Sequence, residues 1–173
     1  MSLIPEWFRG MIIQTHHNQR RHMHRVISGL TEEQMLKRVV TEKDFEDMMS
    51  ILRHIINAET YWFHKLGQSI GPPSKSQILS EVLEKLSENT QKIVERVEGA
   101  TEDQLKIVAP RDGGPSVSWA VLRTAQHGVY HTGQIAKLRR VIDAPELLTD
   151  DSDRWGHAVD SLIEMLKRFI EEE

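Results

Sequence analysis

Apolar residues recur at intervals of three and four along most of the chain, and almost no stretch alternates between apolar and polar residues as a strand would. This spacing restricts the chain to helices. Glycine ends two of the segments, at Gly29 and Gly99, and Ser116 or Ser118 is a suitable N-cap for a later one. The pattern predicts an all-α fold with four long helices and an additional C-terminal helix, at residues of roughly 6–28, 44–66, 76–98, 116–142 and 154–170.

One short link occurs twice. "GLTEEQM" at residues 29–35 resembles "GATEDQL" at residues 99–105, and each copy follows a predicted long helix. A threonine followed by acidic residues is typical of a helix start. Two interpretations remain open at this point: unrelated helix pairs that share a good cap, or a bundle built from two similar helical hairpins.

Size and composition limit the classes of protein. The 173 residues are predicted to form a single domain over 1–173. A net charge of -4 gives no general attraction to nucleic acid, and no stretch approaches the roughly 18 apolar residues of a membrane span. The start of the sequence does not resemble a signal peptide, so we expect a cytoplasmic protein that does not enter a membrane. The absence of cysteine excludes disulfides, zinc-thiolate sites and a protein thiol nucleophile.

The fourth predicted helix carries two histidines four residues apart, in "TAQHGVYHTGQIAKL" at residues 124–138. Residues four apart are neighbours on one helix face, and His127 and His131 both lie on the apolar stripe. Two imidazoles so placed can bind one metal ion, although hydrogen-bonded core histidines would give the same pattern. Gln134, one turn further, could line the same cavity or orient a ligand.

Two glycines lie inside the same helix. A glycine in a helix costs about 1 kcal/mol relative to alanine, so Gly128 and Gly133 call for a reason, either of packing or of access. Close approach of a neighbouring helix would supply one.

A third histidine strengthens the metal interpretation. His54, in "ILRHIINAETYWFHKL", lies in a helix that is apolar nearly all round, where a buried imidazole needs a partner. Three buried histidines would leave one open position, as in catalytic zinc sites. The Glu-x-x-His pairs of di-iron bundles are absent, as is a glutamate between the paired histidines. Glu59 is predicted to be a structural hydrogen-bonding partner.

The first predicted helix contains "HHNQRRHMHR" at residues 16–25. This patch could bind phosphate-bearing ligands or nucleic acid, but it is short and lacks interleaved aromatic residues, so nucleic-acid binding is not expected. The favoured interpretations are a solvated face, or a cavity mouth lined by His16, His17 or His22.

"HIINAETYW" together with "HGVYHTGQI" resembles the DinB-like superfamily of four-helix bundles, which includes metal-dependent hydrolase-like proteins and bacillithiol or mycothiol transferases. The resemblance extends over essentially the whole chain, including "GLTEEQM". It implies a DinB-like four-helix bundle in which His54, His127 and His131 bind a divalent metal, commonly zinc or nickel, and a homodimer. It does not imply one reaction, and the histidine-rich first helix departs from the family pattern.

An open metal position allows two reactions on a small electrophilic substrate. A metal-bound hydroxide would hydrolyse it, and a metal-bound thiolate would be transferred to it. Any thiol must come from a low-molecular-weight cosubstrate, because the chain has no cysteine. Arg123, Asn57 and Tyr61, together with Gln134, are the residues expected to meet a substrate. The alternative is a metal-binding stress-response module without catalysis.

Overall fold

The computed structural model describes residue 4 and residues 6–39 and 46–145, and this part of the chain forms α-helices and no strand. The predicted all-α fold and its four long helices are thereby confirmed. The C-terminal helix predicted at 154–170 lies outside the described residues. None of the described helices is long and apolar enough to cross a membrane. The helices are α1 (Glu6–Ile27), α2 (Glu32–Met35), α3 (Met48–Lys65), α4 (Leu79–Glu98), α5 (Glu102–Leu105) and α6 (Val117–Val141).

Local chemistry sets the helix ends. After α1 the chain turns at Gly29, whose φ of 73° lies in the left-handed region that glycine adopts without strain. Ser116 caps α6 by accepting a hydrogen bond from the Trp119 amide at 3.1 Å. The two copies of the repeated link are single helical turns, each started by a capping box at Thr31 or Thr101. The helix starts predicted from the repeat are therefore confirmed.

The four long helices do not simply alternate in direction. α1 and α6 are parallel, because Gln19 lies against Gly128 and the Arg139 guanidinium further along α6 donates to the carbonyl of Val26 at 2.9 Å. α3 and α4 run together in the opposite direction: the starts of both helices pack in one apolar cluster, and their ends pack in another. The connectivity is therefore up, down, down, up.

The segment at residues 66–78 makes this connectivity possible by running back along α3. The Asn57 side chain accepts a hydrogen bond from the Ser74 amide at 2.7 Å and donates to the Ser74 carbonyl at 3.2 Å. Arg53, one turn earlier on α3, donates to the Ser76 carbonyl at 3.1 Å. These contacts fix the crossover and bring the chain to the start of α4.

A central polar layer separates the two apolar clusters. Arg20 forms a buried ion pair with Glu59, and it donates to the Thr90 hydroxyl at 2.7 Å. Asn89 donates to the other Glu59 oxygen at 3.2 Å. Glu59 is thus a structural partner, as predicted. The layer consists of the buried side chains of His16, Gln19, Arg20, Glu59 and Asn89.

The polar stretch of α1 is a solvated face on one side only, so that prediction is confirmed only in part. His16 is fully buried, with no hydrogen-bond partner at either ring nitrogen, and Arg20 is also buried. His16 therefore does not line a cavity mouth. Arg21 and His22 are exposed, so only one side of the helix meets solvent. The stretch is polar because its inner side builds the central polar layer.

Candidate metal centre

α3 and α6 bring His54, His127 and His131 together. The Nε2 atom of His127 lies 3.1 Å from Nε2 of His54 and 3.0 Å from Nε2 of His131. The ligand atoms of all three lie within 4.8 Å of one another. His131 is buried, but His54 and His127 are only half-buried. The expectation of three buried histidines is wrong in this respect, because one side of the cluster is open to solvent.

The three nitrogens cannot satisfy one another by hydrogen bonding. His131 Nδ1 donates to Gln134 Oε1 at 2.6 Å, so the neutral ring presents a lone pair at Nε2. His127 Nε2 faces two nitrogens and can complete one hydrogen bond at most, whether it carries the proton or the lone pair. Its other nitrogen, Nδ1, is buried without a partner. A cation at the meeting point would accept all three lone pairs and remove the conflict.

Burial keeps the three imidazoles neutral. It lowers the pKa of His54 below the ordinary value of 6.5. Burial, followed by the charges of His131, His54 and Arg123, lowers the pKa of His127 to about 4. The pKa of His131 is also lowered, by burial first and by the charges of His54 and Arg123, while its bond to Gln134 opposes the shift. At pH 7 the lone pairs are therefore available to a metal.

The cluster fits a divalent ion that prefers nitrogen ligands. Zinc-to-histidine bonds of about 2.0 to 2.1 Å in tetrahedral geometry place neighbouring nitrogens about 3.3 Å apart. The two short separations, at 3.0 and 3.1 Å, need to open only slightly to reach that value. The histidine cluster contains no carboxylate, and an all-imidazole set favours transition metals over magnesium or calcium. The bond from His131 to Gln134 is of the kind that orients metal-binding histidines.

Asn57, Tyr61 and Arg123, the other residues predicted to meet a substrate, differ in their contacts and exposure. The Asn57 amide is engaged on both sides by Ser74, so it holds the crossover. Tyr61 is 52% exposed and lies nearly two turns along α3 from His54, beyond the histidine cluster. Arg123 is half-buried, and its charge acts on two histidines of the cluster. No described residue forms a hydrogen bond or an ion pair with Arg123.

The two glycines of α6 have different surroundings. A Cβ atom on Gly128 would lie 2.4 Å from Gln19 Nε2, so the helix approach predicted for this position is confirmed. A Cβ atom on Gly133 would meet nothing within 4 Å, and the residue is exposed. The packing reason predicted for Gly133 is wrong.

An aromatic contact beside the cluster was missed at the level of sequence. Trp62 on α3 meets Trp119 on α6 edge to face, with ring centroids 4.8 Å apart. The spacing in the sequence could have indicated this contact. Trp119, Arg123 and His127 follow one another at intervals of four, and Trp62 follows His54 at an interval of eight. Side chains at such intervals form one row on a helix.

Comparison with protein families matches residues 14–135 to the DinB superfamily. The matched region contains all three histidines and covers well over half of the chain. No curated protein and no solved structure matches the chain.

Proposed function

Because the chain belongs to the DinB superfamily, we propose that His54, His127 and His131 bind one divalent metal ion, zinc or nickel, and that the protein is a metal-dependent enzyme. The proposed reaction transfers a low-molecular-weight thiol to a small electrophilic substrate, or hydrolyses that substrate with water. The observation that carries the proposal is the convergence of three Nε2 atoms whose close contacts hydrogen bonds alone cannot satisfy.

A bound divalent ion lowers the pKa of coordinated water to about 7 and deprotonates a coordinated thiol. The protein's own residues do the remaining work. The half-buried His54 and His127 leave one side of the cluster accessible to a small molecule. Gln134 holds His131 in the tautomer that presents Nε2. Since the chain has no cysteine, a thiol nucleophile must arrive as a cosubstrate.

Metal content tests the binding site directly. We expect purified protein to carry close to one zinc or nickel ion per chain, and the alanine variants of His54, His127 and His131 to lose it. His64→Ala is the matched control, because His64 is an exposed histidine of α3. It should keep the metal. Elemental analysis provides the measurement, with circular dichroism to check that each variant is helical. Full occupancy in His127→Ala would refute the proposed ligand set.

Gln134 offers a test of ligand orientation. Gln134→Leu removes the acceptor of the His131 Nδ1 proton, and loss of such a partner weakens metal affinity by about 10- to 100-fold. The dissociation constant is measured by competition with a chelating dye. Gln126→Leu, at an exposed position of α6, should bind metal as the wild type does. Equal affinities in the two variants would contradict an orienting role.

Turnover separates the two reactions from each other and from simple metal storage. Metal-loaded protein is incubated with a small electrophile, with and without an added thiol, and both the conjugate and the hydrolysis product are quantified. We expect product formation that stops on chelation and in His54→Ala. Conjugate alone identifies a thiol transferase, and the hydrolysis product identifies a hydrolase. Stoichiometric metal without turnover across a panel of electrophiles would favour a metal-binding stress-response module.

A further inference from the structure

Two rows of side chains run from the histidine cluster along α3 and α6. The α6 row contains Trp119, Arg123 and His127, and the α3 row contains His54, Ala58 and Trp62. The helices are antiparallel here, because His54 meets His127 while Trp62 meets Trp119. Arg123 and Ala58 therefore lie between the two contacts. We name these intermediate residues and the tryptophan pair the α3–α6 strip, which consists of Ala58, Trp62, Trp119 and Arg123.

The strip has the size and character of a binding surface for a small molecule. Trp119 and His127 are eight positions apart on α6, and this corresponds to about 12 Å along the helix axis. All four residues of the strip are half-buried, so they are accessible but partly sheltered from water. Midway along the α3 row, Ala58 contributes only a methyl group. The tryptophan pair adds an apolar surface at the far end.

Arg123 is the charged member of the strip, and its charge is not neutralised by any residue in the described ranges 6–39 and 46–145. No described residue pairs with it, whereas the buried Arg20 is fully engaged by Glu59 and Thr90. A half-buried guanidinium gains more from an anion than one in open water, because the surroundings screen the attraction less. Its planar fork matches two oxygens of a carboxylate. A single positive charge balances a monocarboxylate better than a doubly charged phosphate.

We propose that the α3–α6 strip binds a small organic monocarboxylate, with its carboxylate on Arg123 and its apolar group against Trp62 and Trp119. This places the rest of the molecule at the histidine cluster, one helical turn from Arg123. The inference rests on the proposed function in one respect, namely that this molecule is the electrophilic substrate or the thiol cosubstrate. Binding to the strip itself does not require the metal.

The test uses isothermal titration calorimetry with 3-phenylpropionate and its uncharged analogue 3-phenylpropionamide, on metal-free and metal-loaded protein. We expect the acid to bind both forms, and the amide to bind at least tenfold more weakly. Arg123→Gln should weaken binding of the acid about tenfold or more and leave the amide unchanged, because only the acid uses the charge. Arg123→Lys should recover part of the loss. Arg96→Gln, at an exposed arginine of α4, is the matched control and should bind normally.

Trp119→Leu tests the apolar end and should weaken both ligands by the same factor. The proposal is overturned by equal affinities for acid and amide, by wild-type affinity in Arg123→Gln, or by no saturable binding to either form of the protein. Phenyl phosphate binding as tightly as the acid would overturn the assignment to a monocarboxylate. Failure of the metal centre is recognised separately, since wild-type protein without metal could still bind the acid through Arg123.

Discussion

Replacing each glycine of α6 by alanine separates helix propensity from helix packing. Both residues are inside the same helix, so each replacement brings the same propensity gain of about 1 kcal/mol. At the exposed Gly133 nothing opposes that gain. We therefore expect Gly133→Ala to raise the free energy of unfolding by up to about 1 kcal/mol.

At Gly128 the new methyl group meets the side chain of Gln19. The added Cβ would lie 2.4 Å from Nε2, 2.6 Å from Cδ and 3.1 Å from Cγ. Gln19 is buried, and its Oε1 accepts a hydrogen bond from Arg20, so it cannot swing into solvent without leaving the central polar layer. Overpacking of this kind costs about 1 to 3 kcal/mol, and a lost hydrogen bond adds about 1. After the propensity gain of about 1 kcal/mol is subtracted, Gly128→Ala should be less stable than the wild type by about 1 to 3 kcal/mol.

Urea denaturation followed by circular dichroism measures both variants, and thermal melts provide a check. A gap of about 2 to 4 kcal/mol between the two variants corresponds to a difference in Tm of about 4 to 16 °C for a chain of this size. In a Gln19→Ala background the obstacle is gone, so Gly128→Ala should become stabilising. The resulting coupling energy between the two positions is about 2 to 4 kcal/mol. The reasoning would be refuted if Gly128→Ala and Gly133→Ala raised the free energy of unfolding by equal amounts.

Three further predictions concern the core and the assembly. Burial first, then the charges of Arg20 and His17, holds the pKa of His16 well below 6.5. Below pH 6.5 the unfolded chain takes up a proton that native His16 does not, so the free energy of unfolding falls as pH drops, by up to about 1.4 kcal/mol per unit. Urea titrations of His16→Phe should lack this component, and an unchanged profile would contradict it. Glu59→Gln leaves Arg20 buried and unpaired, which should cost about 3 to 5 kcal/mol in urea denaturation. Glu84→Gln, at an exposed position, is the control and should change the free energy of unfolding by less than about 0.5 kcal/mol. The predicted homodimer should sediment at twice the chain mass of 20.0 kDa, and a monomer throughout the micromolar range would disprove it.

The features that sequence predicted well are those that short segments encode. Gly29 and Ser116 mark helix ends through their own backbone or side-chain chemistry, and Thr31 does so with the residues that follow it. The spacing of His127 and His131 similarly places both on one helix face, whatever the rest of the fold. For such features a single chain contains all the necessary information.

The features that sequence missed depend on partners far along the chain. Arg20 is buried because Glu59, 39 residues away, neutralises it, and the local sequence of α1 looks like a solvent-facing surface. The parallel arrangement of α3 and α4 depends on Asn57 and Arg53 holding the crossover, and periodicity does not reveal this. The half-buried state of His54 likewise depends on which helices pack around it. Tertiary contacts decide each of these features.

The central polar layer also determines how the helices align lengthwise. Apolar attraction is non-directional, whereas Arg20 meets Glu59 and Thr90 in only one lengthwise offset of the helices. Sliding α1 by a single turn, about 5.4 Å, would place the guanidinium among apolar side chains. Such a slip is therefore costly. It would also move Gln19 away from Gly128, the residue that follows His127 in the sequence. The ion pair between Arg20 and Glu59 thus fixes the axial position of α1, the helix that packs behind the histidine cluster.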